Sequence, residues 1–282
     1  MEKQLVPFET KVKWIEKMIE SKVDIIQLGS FVHKEKMPQM ADSDELFNYF
    51  NKKKYNVVFS GLALNERGME RALACGVNLL CLGVSASETH SQKNTRMSVD
   101  EATERIINIA KESMKAGLEV QTSVQSALGC GFEGAIPEEK VLTIIKKYLD
   151  AGIRKVSLAD TAGYGNPAQV ERMVCAIKEL DAELEIACHF HNTYGMGLVN
   201  YYAAMKRGAK VFESSTGGLG GCPFTKLAAG NVCTEDLINL LNQMGLRKDI
   251  DINVFIELAK EMAEFFQREL PGYVYKAGLM KK

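Results

Sequence analysis

Short apolar, β-branched runs alternate along this chain with longer stretches in which apolar residues recur every three or four positions. The runs predict strands over Asp24–Phe31, Tyr55–Leu62, Asn78–Ser85, Glu119–Gln125, Lys155–Asp160, Glu185–His191 and Lys210–Ser215. Between them, Val141, Ile144, Ile145, Tyr148 and Leu149 mark one helical stripe, and Val170, Met173, Val174, Ile177 and Leu180 mark another. The punctuation agrees. Ser98 and Glu101 stand at capping-box spacing, and Pro137 and Pro167 sit where a first helical turn should start. Gly76, Gly117, Gly152 and Gly208 each close a helical stretch just before a strand, as left-handed C-caps do. The repeating order of helix, glycine and strand is a βα array, which predicts an α/β fold with a parallel sheet.

The chain has 282 residues, the usual size of one TIM-type barrel, and no Pro/Ser-rich linker interrupts it. A single (β/α) barrel domain over residues 1–282 is therefore expected. An apolar helical stretch, Val254–Phe266, follows the last βα unit and should pack outside the barrel as an extra C-terminal helix. The strand count comes out odd. The chain opens on a helix striped by Phe8, Val12, Ile15 and Ile19, and seven strands follow. A closed (β/α)8 barrel needs eight, and seven alone leave two unpaired edges. The simplest expectation is that the first strand stands before Met1, and that the 282 residues alone are inactive or poorly folded.

Composition narrows the class. Apolar residues at 46 % and charged residues at 25 % are ordinary for a soluble globular protein. A net charge of −1 supplies no broad field for nucleic acid or an anionic membrane. The basic clusters Lys52–Lys54 and Lys281–Lys282 read as solvated ends of elements. The N-terminus is charged and amphipathic rather than a secretory leader, and no apolar run approaches a membrane span. Seven cysteines, an odd number, then suggest free thiols in the cytoplasm.

The candidate chemistry centres on Cys188-His189-Phe190-His191-Asn192-Thr193. Histidines at i and i+2 on a strand share a face. Near the carboxyl end of a barrel strand, two imidazoles make half of a metal site. The competing reading is a pair of satisfied core histidines. The chain has only four histidines, so two at one strand end favour ligation. The loop from Thr216 to Pro223 holds four glycines in five residues, with Cys222 at its tip. Such a loop can approach a ligand closely and deliver a thiol as acid or base, or it can be a flexible connection with an incidental cysteine. Asn231 offers a carbonyl oxygen suited to a hard cation, or it caps the helix before Thr234. Asp160 ends a strand, where its carboxylate can meet substrate at the barrel mouth or serve a turn. The other six cysteines lack C-x-x-C spacing and read as structural.

At these residues the chain resembles the 3-hydroxy-3-methylglutaryl-CoA lyase family, within the metal-dependent pyruvate carboxyltransferase-like barrels. The matching stretches are Gly29-Ser30-Phe31-Val32 with Pro38-Gln39-Met40-Ala41-Asp42, then Ala127-Leu128-Gly129-Cys130, Ser157 through Gly163, His189 through Gly195, and Gly217–Pro223 with Gly230-Asn231. They span nearly the whole chain. The resemblance implies a Mg²⁺ or Mn²⁺ site built from His189, His191 and Asn231 and completed by an aspartate. It implies Cys222 as a catalytic residue on a mobile loop, Asp160 near the substrate, and Ser30, Asn94 and Ser157 lining the pocket. It further implies an acyl-CoA or related hydroxy acid substrate and a homodimer. Two departures stand out. The family's first strand carries an Arg-Asp-Gly motif that would fall before Met1. The family also places a catalytic glutamate on its second strand where this chain has Gln27, and a basic residue where this chain has Gln121. Three readings follow from that pattern: an acyl-CoA lyase, a related aldolase or Claisen-type synthase with another acid, or a truncated or degenerate non-catalytic homologue that only binds a ligand or partner.

Overall fold

Each βα repeat contributes one strand to a parallel sheet. The computed structural model describes residues 4–35, 37–221 and 230–280. Its strands are β1 (Ile25–Ser30), β2 (Val58–Leu62), β3 (Leu79–Ser85), β4 (Glu119–Gln125), β5 (Lys155–Asp160), β6 (Glu185–Phe190) and β7 (Val211–Glu213). They pair in chain order, every neighbour parallel. The helices are α1 (Phe8–Glu20), α2 (Ser43–Phe50), α3 (Glu66–Ala74), α4 (Glu88–Thr95), α5 (Val99–Lys115), α6 (Glu138–Asp150), α7 (Pro167–Leu180), α8 (Gly197–Lys206), α9 (Thr234–Gln243), α10 (Ile252–Phe265) and α11 (Val274–Ala277). Ser98 and Glu101 form both halves of the capping box that opens α5. Pro167 lies in the first turn of α7, whereas Pro137 sits one residue earlier than expected, at the N-cap of α6. Gly76, Gly117, Gly152 and Gly208 all adopt positive φ just past their helices.

The sheet curls. Gln121 on β4 donates to Glu213 on β7 at 2.9 Å. Three strand spacings laid flat would separate these strands by about 14 Å. The contact therefore closes across a concave face, the inside of a barrel wall. The closed eight-stranded barrel expected from the sequence is represented by seven strands. Among the described residues β1 and β7 are its edges, and no eighth strand pairs with either.

The two faces of the sheet differ in chemistry. Outward residues such as Leu80, Leu82, Val156, Leu158, Ile186 and Phe190 join the stripes of α6 and α7 in one buried cluster. Inward positions carry Ser60, Cys81, Gln121, Ser157, His189 and Glu213. A polar lining on the concave face and a greasy outer layer put the candidate chemistry inside the curl. A second cluster, including Trp14, Ile238, Phe255, Leu258, Leu270 and Tyr275, seats α10 against α1 and α9. Trp14 meets Phe265 edge-on at 5.5 Å. The C-terminal helix thus packs outside the sheet, as its apolar stripe suggested, and the segment after it carries Leu270 under the glycine-rich turn. Among the described residues, no helix is long and apolar enough to cross a membrane.

Candidate active site

Period-two geometry on β6 turns His189 and His191 to the same inner face. Their ring centroids lie 5.4 Å apart. His191 sits just past the strand and forms an isolated antiparallel bridge with Asn231. That bridge is reinforced by the Asn192 amide, which donates to the Gly230 carbonyl at 3.1 Å. Two segments about forty residues apart in the chain are thereby brought side by side. The Asn231 side chain is oriented from one end, since its Nδ2 donates to the Leu219 carbonyl at 2.9 Å. Among the described residues, its buried Oδ1 has no hydrogen-bond partner. A buried amide oxygen without a partner costs free energy unless something fills the position. Two imidazoles and an amide oxygen are a donor set that suits Mg²⁺ or Mn²⁺. Among the described residues, no third His, Cys, Asp or Glu joins the two histidines in a metal-holding cluster.

One residue that ties this site together was not singled out from the sequence. Glu213 on β7 meets His189 Nδ1 through Oε2 at 3.0 Å. Its Oε1 accepts from Ser157 Oγ at 2.8 Å and from Gln121 Nε2 at 2.9 Å. Burial alone would raise the Glu213 pKa, but the hydrogen bonds and the His189 charge overcome it and hold the carboxyl below its ordinary value. Burial likewise pulls His189 down, and Glu213 more than reverses this, so His189 titrates above the usual histidine range. Among the described residues His191 has no such partner. Burial and then the neighbouring His189 push it down to about 4, so its imidazole is neutral with a free lone pair at neutral pH. Cys81 faces the same carboxylate, and burial together with Glu213 raises its thiol to about 12. The signal for Glu213 lay in alternation: at the end of β7 it stands in register with His189, so it shares the inner face while the outer face meets helices.

The glycine-rich turn is built from below. Gly217 and Gly218 adopt φ of +64° and +69°. A Cβ on Gly217 would come within 2.4 Å of Leu270, and one on Gly218 within 2.7 Å of Cys233 Sγ. The turn is therefore clamped between the C-terminal segment and the start of α9. Gly217 N–H also donates to Glu235 Oε2 at 3.0 Å. Cys222, the candidate acid, lies outside the described residues.

Burial raises the Glu235 carboxyl from 4.5 to about 7, against the pull of the Gly217 amide. A carboxyl raised on folding binds its proton more tightly in the native state. Its contribution to stability is full below about pH 4.5 and is lost as pH climbs to about 7. Glu235→Gln is expected to flatten stability across that window and to exceed the parent protein above it, read as urea midpoints over a pH series.

The remaining candidates fall in different places. Ser157 belongs to the Glu213 cluster. Asp160, three residues on, faces the opposite side of β5, because an odd separation reverses the side chain. Its oxygens accept from the Tyr164 and Gly165 amides at 3.0 and 2.8 Å. Burial nevertheless raises it to about 6. Asp160 is thus not brought to the histidine pair. A register shift between Gln27 and Gly29 sets Gln27 beside Ser60 and Ser30 beside Leu62. That bulge lets both Gln27 and Ser30 follow inner positions of β2 despite their odd spacing. Gln27 is exposed, Ser30 is buried with its hydroxyl on the Leu62 carbonyl at 3.3 Å, and Asn94 is half-buried late in α4.

Known proteins share this architecture over almost its whole length. Residues 1–262 match the family described as HMGL-like. The hydroxymethylglutaryl-CoA lyase YngG of Bacillus subtilis is 34 % identical over 264 residues, covering 94 % of this chain and 88 % of the relative. A Pseudomonas aeruginosa relative, a 3-hydroxy-3-isohexenylglutaryl-CoA/hydroxymethylglutaryl-CoA lyase, is 32 % identical over 99 % of this chain and 93 % of its own. The solved HMG-CoA lyase of Acinetobacter baumannii, in complex with coenzyme A and 3-methylmalate, superposes with a TM-score of 0.93 at 35 % identity, covering 100 % of this chain and 93 % of that one. The match over residues 1–262, together with lyase relatives at 32–35 % identity over nearly the whole chain, shows that this chain belongs to the HMGL-like family of lyases.

Proposed function

We propose that this protein is a divalent-metal-dependent carbon–carbon lyase that cleaves 3-hydroxy-3-methylglutaryl-CoA, or a close 3-hydroxy acyl-CoA, to acetyl-CoA and the corresponding keto acid. The observation that carries the reading is the unpartnered Oδ1 of Asn231, buried beside the two inward histidines. His189, His191 and Asn231 are the residues that would hold Mg²⁺ or Mn²⁺. When bound, such a cation supplies a Lewis acid for the substrate's hydroxyl and acyl oxygens and lowers the hydroxyl pKa. The relatives' names and the coenzyme A bound to one of them support the substrate class.

The chain's own residues then have distinct tasks. The tertiary hydroxyl gives its proton to solvent water, and that oxygen becomes a carbonyl as the neighbouring carbon–carbon bond breaks. The bonding pair passes to the thioester enolate. Cys222 gives its S–H proton to the enolate carbon, and the thiolate is reprotonated from solvent. Gln27, Ser30 and Asn94 line the substrate's approach, and Ser157 holds Glu213. Asp160 shapes the turn at the mouth through the Tyr164 and Gly165 amides.

The test is acetoacetate release from 3-hydroxy-3-methylglutaryl-CoA by the purified full-length protein with Mn²⁺ or Mg²⁺. Turnover that stops on chelation and returns with metal is expected. Absence of acetoacetate in the presence of either ion overturns the assignment. Cleavage of a different hydroxy acid would instead move it to a related aldolase.

A further inference from the structure

Glu213 is not among the residues assigned above to cation or substrate, yet side chains from three neighbouring strands converge on its carboxylate. Its two oxygens are divided. Oε1 takes the Ser157 hydroxyl at 2.8 Å and the Gln121 amide at 2.9 Å, and Oε2 takes His189 Nδ1 at 3.0 Å. Donors from β4 and β5 therefore hold the carboxylate from one side and aim its other oxygen at β6. The backbone beneath is held too, because Tyr201 on α8 donates its hydroxyl to the Glu213 carbonyl and accepts from the Phe190 amide at 3.1 Å. That phenol rivets β6 to β7 one residue from His189. Side chain and main chain of Glu213 are both immobilised against the histidine strand.

An imidazole facing a carboxylate through Nδ1 places its proton there, which leaves Nε2 unprotonated and fixes the ring plane. We propose that Glu213 is a positioning residue: through Nδ1 it sets His189 in the Nδ1–H tautomer and points Nε2 at the cation site, with Gln121 and Ser157 keeping the carboxylate in place. The proposal rests on the metal reading above for its consequence, but not for its geometry. His191 makes a natural contrast within the same molecule. It is buried next to His189 yet, among the described residues, has no carboxylate of its own, so its tautomer is not set by this cluster. A carboxylate behind one ligating histidine raises that ligand's basicity, and loss of such outer partners costs about 10–100-fold in metal affinity.

Two measurements test the idea separately. The first is ¹⁵N NMR of histidine-labelled, metal-free protein at alkaline pH. It should show His189 protonated on Nδ1 and bare on Nε2 in the parent, and shifted toward the Nε2–H form in Glu213→Ala. The second is Mn²⁺ affinity followed by loss of the free-ion EPR signal. Glu213→Ala should bind about 10–100-fold more weakly. Glu213→Gln, whose amide oxygen can still accept from Nδ1–H, should keep the tautomer and recover part of the affinity, which a merely structural role would not predict. His189 found as Nε2–H in the parent, or Mn²⁺ binding unchanged in Glu213→Ala, overturns the proposal. If the parent binds no Mn²⁺ while the Nδ1–H tautomer is present and depends on Glu213, the metal reading fails and the tautomer assignment stands.

Discussion

His191→Ala is expected to abolish metal-dependent turnover and to weaken Mn²⁺ binding beyond the range of about 10–100-fold typical of outer-shell changes. The reason lies in what holds the imidazole neutral. Burial, followed by the neighbouring His189, depresses its pKa from 6.5 to about 4. A ligand must offer a lone pair, and this residue offers one throughout the neutral range. The alanine removes that donor and leaves Asn231 Oδ1 facing an incomplete site. His191→Gln keeps much of the volume and separates ligand loss from cavity formation. The same depressed pKa makes a stability prediction of defined sign. The unfolded chain binds this proton more readily between about pH 4 and 6.5, so the parent loses stability as pH falls through that window. In the glutamine variant this contribution to the acid-side slope should vanish, measured as urea midpoints from neutral to acidic pH. Undiminished Mn²⁺ affinity in both variants would remove His191 from the site.

The fold and the site were legible to different depths, and the difference is one of range. Strands β4 and β5 could be bounded residue by residue, because a glycine cap precedes each of them. That His189 and His191 share a face follows from strand periodicity alone. The same periodicity separates Asp160 from Ser157, an inference open to the sequence. Two apparently equivalent polar residues on β5 therefore face opposite layers. Gln27 and Ser30 run the other way, since a bulge that no local pattern announces offsets their odd spacing. Glu213 was hidden for a further reason. Its strand is only three residues long, and its importance comes from β4, β5 and β6 curling toward it, which is a property of the assembled sheet. The left-handed turn at Gly217 was visible as a glycine run, but the Leu270 side chain that requires it lies over fifty residues later.

That last relation yields the second large effect, Gly230→Ala. Gly230 precedes Asn231 and lies against the glycine turn so closely that an added Cβ would stand 1.8 Å from the Gly218 carbonyl oxygen and 3.0 Å from its carbon. Both are backbone atoms, so no rotamer change relieves the overlap, and the two segments must separate. Gly218 is itself crowded, since a Cβ there would come within 2.7 Å of Cys233 Sγ and 3.4 Å of Pro271. The strain therefore falls on the 230–231 segment, whose Gly230 carbonyl receives the Asn192 amide and whose Asn231 bridges His191. A methyl group with no chemistry of its own should displace the amide oxygen from the histidine pair. Mn²⁺ affinity and acetoacetate release are both expected to fall at least about 10–100-fold, as for outer-shell losses, while far-UV circular dichroism stays that of the parent. Gly131→Ala provides the comparison, because a Cβ there meets nothing within 4 Å, and its affinity should match the parent. Equal Mn²⁺ binding by the two alanine variants would mean that Asn231 is not a ligand, since its displacement would then carry no consequence at the cation.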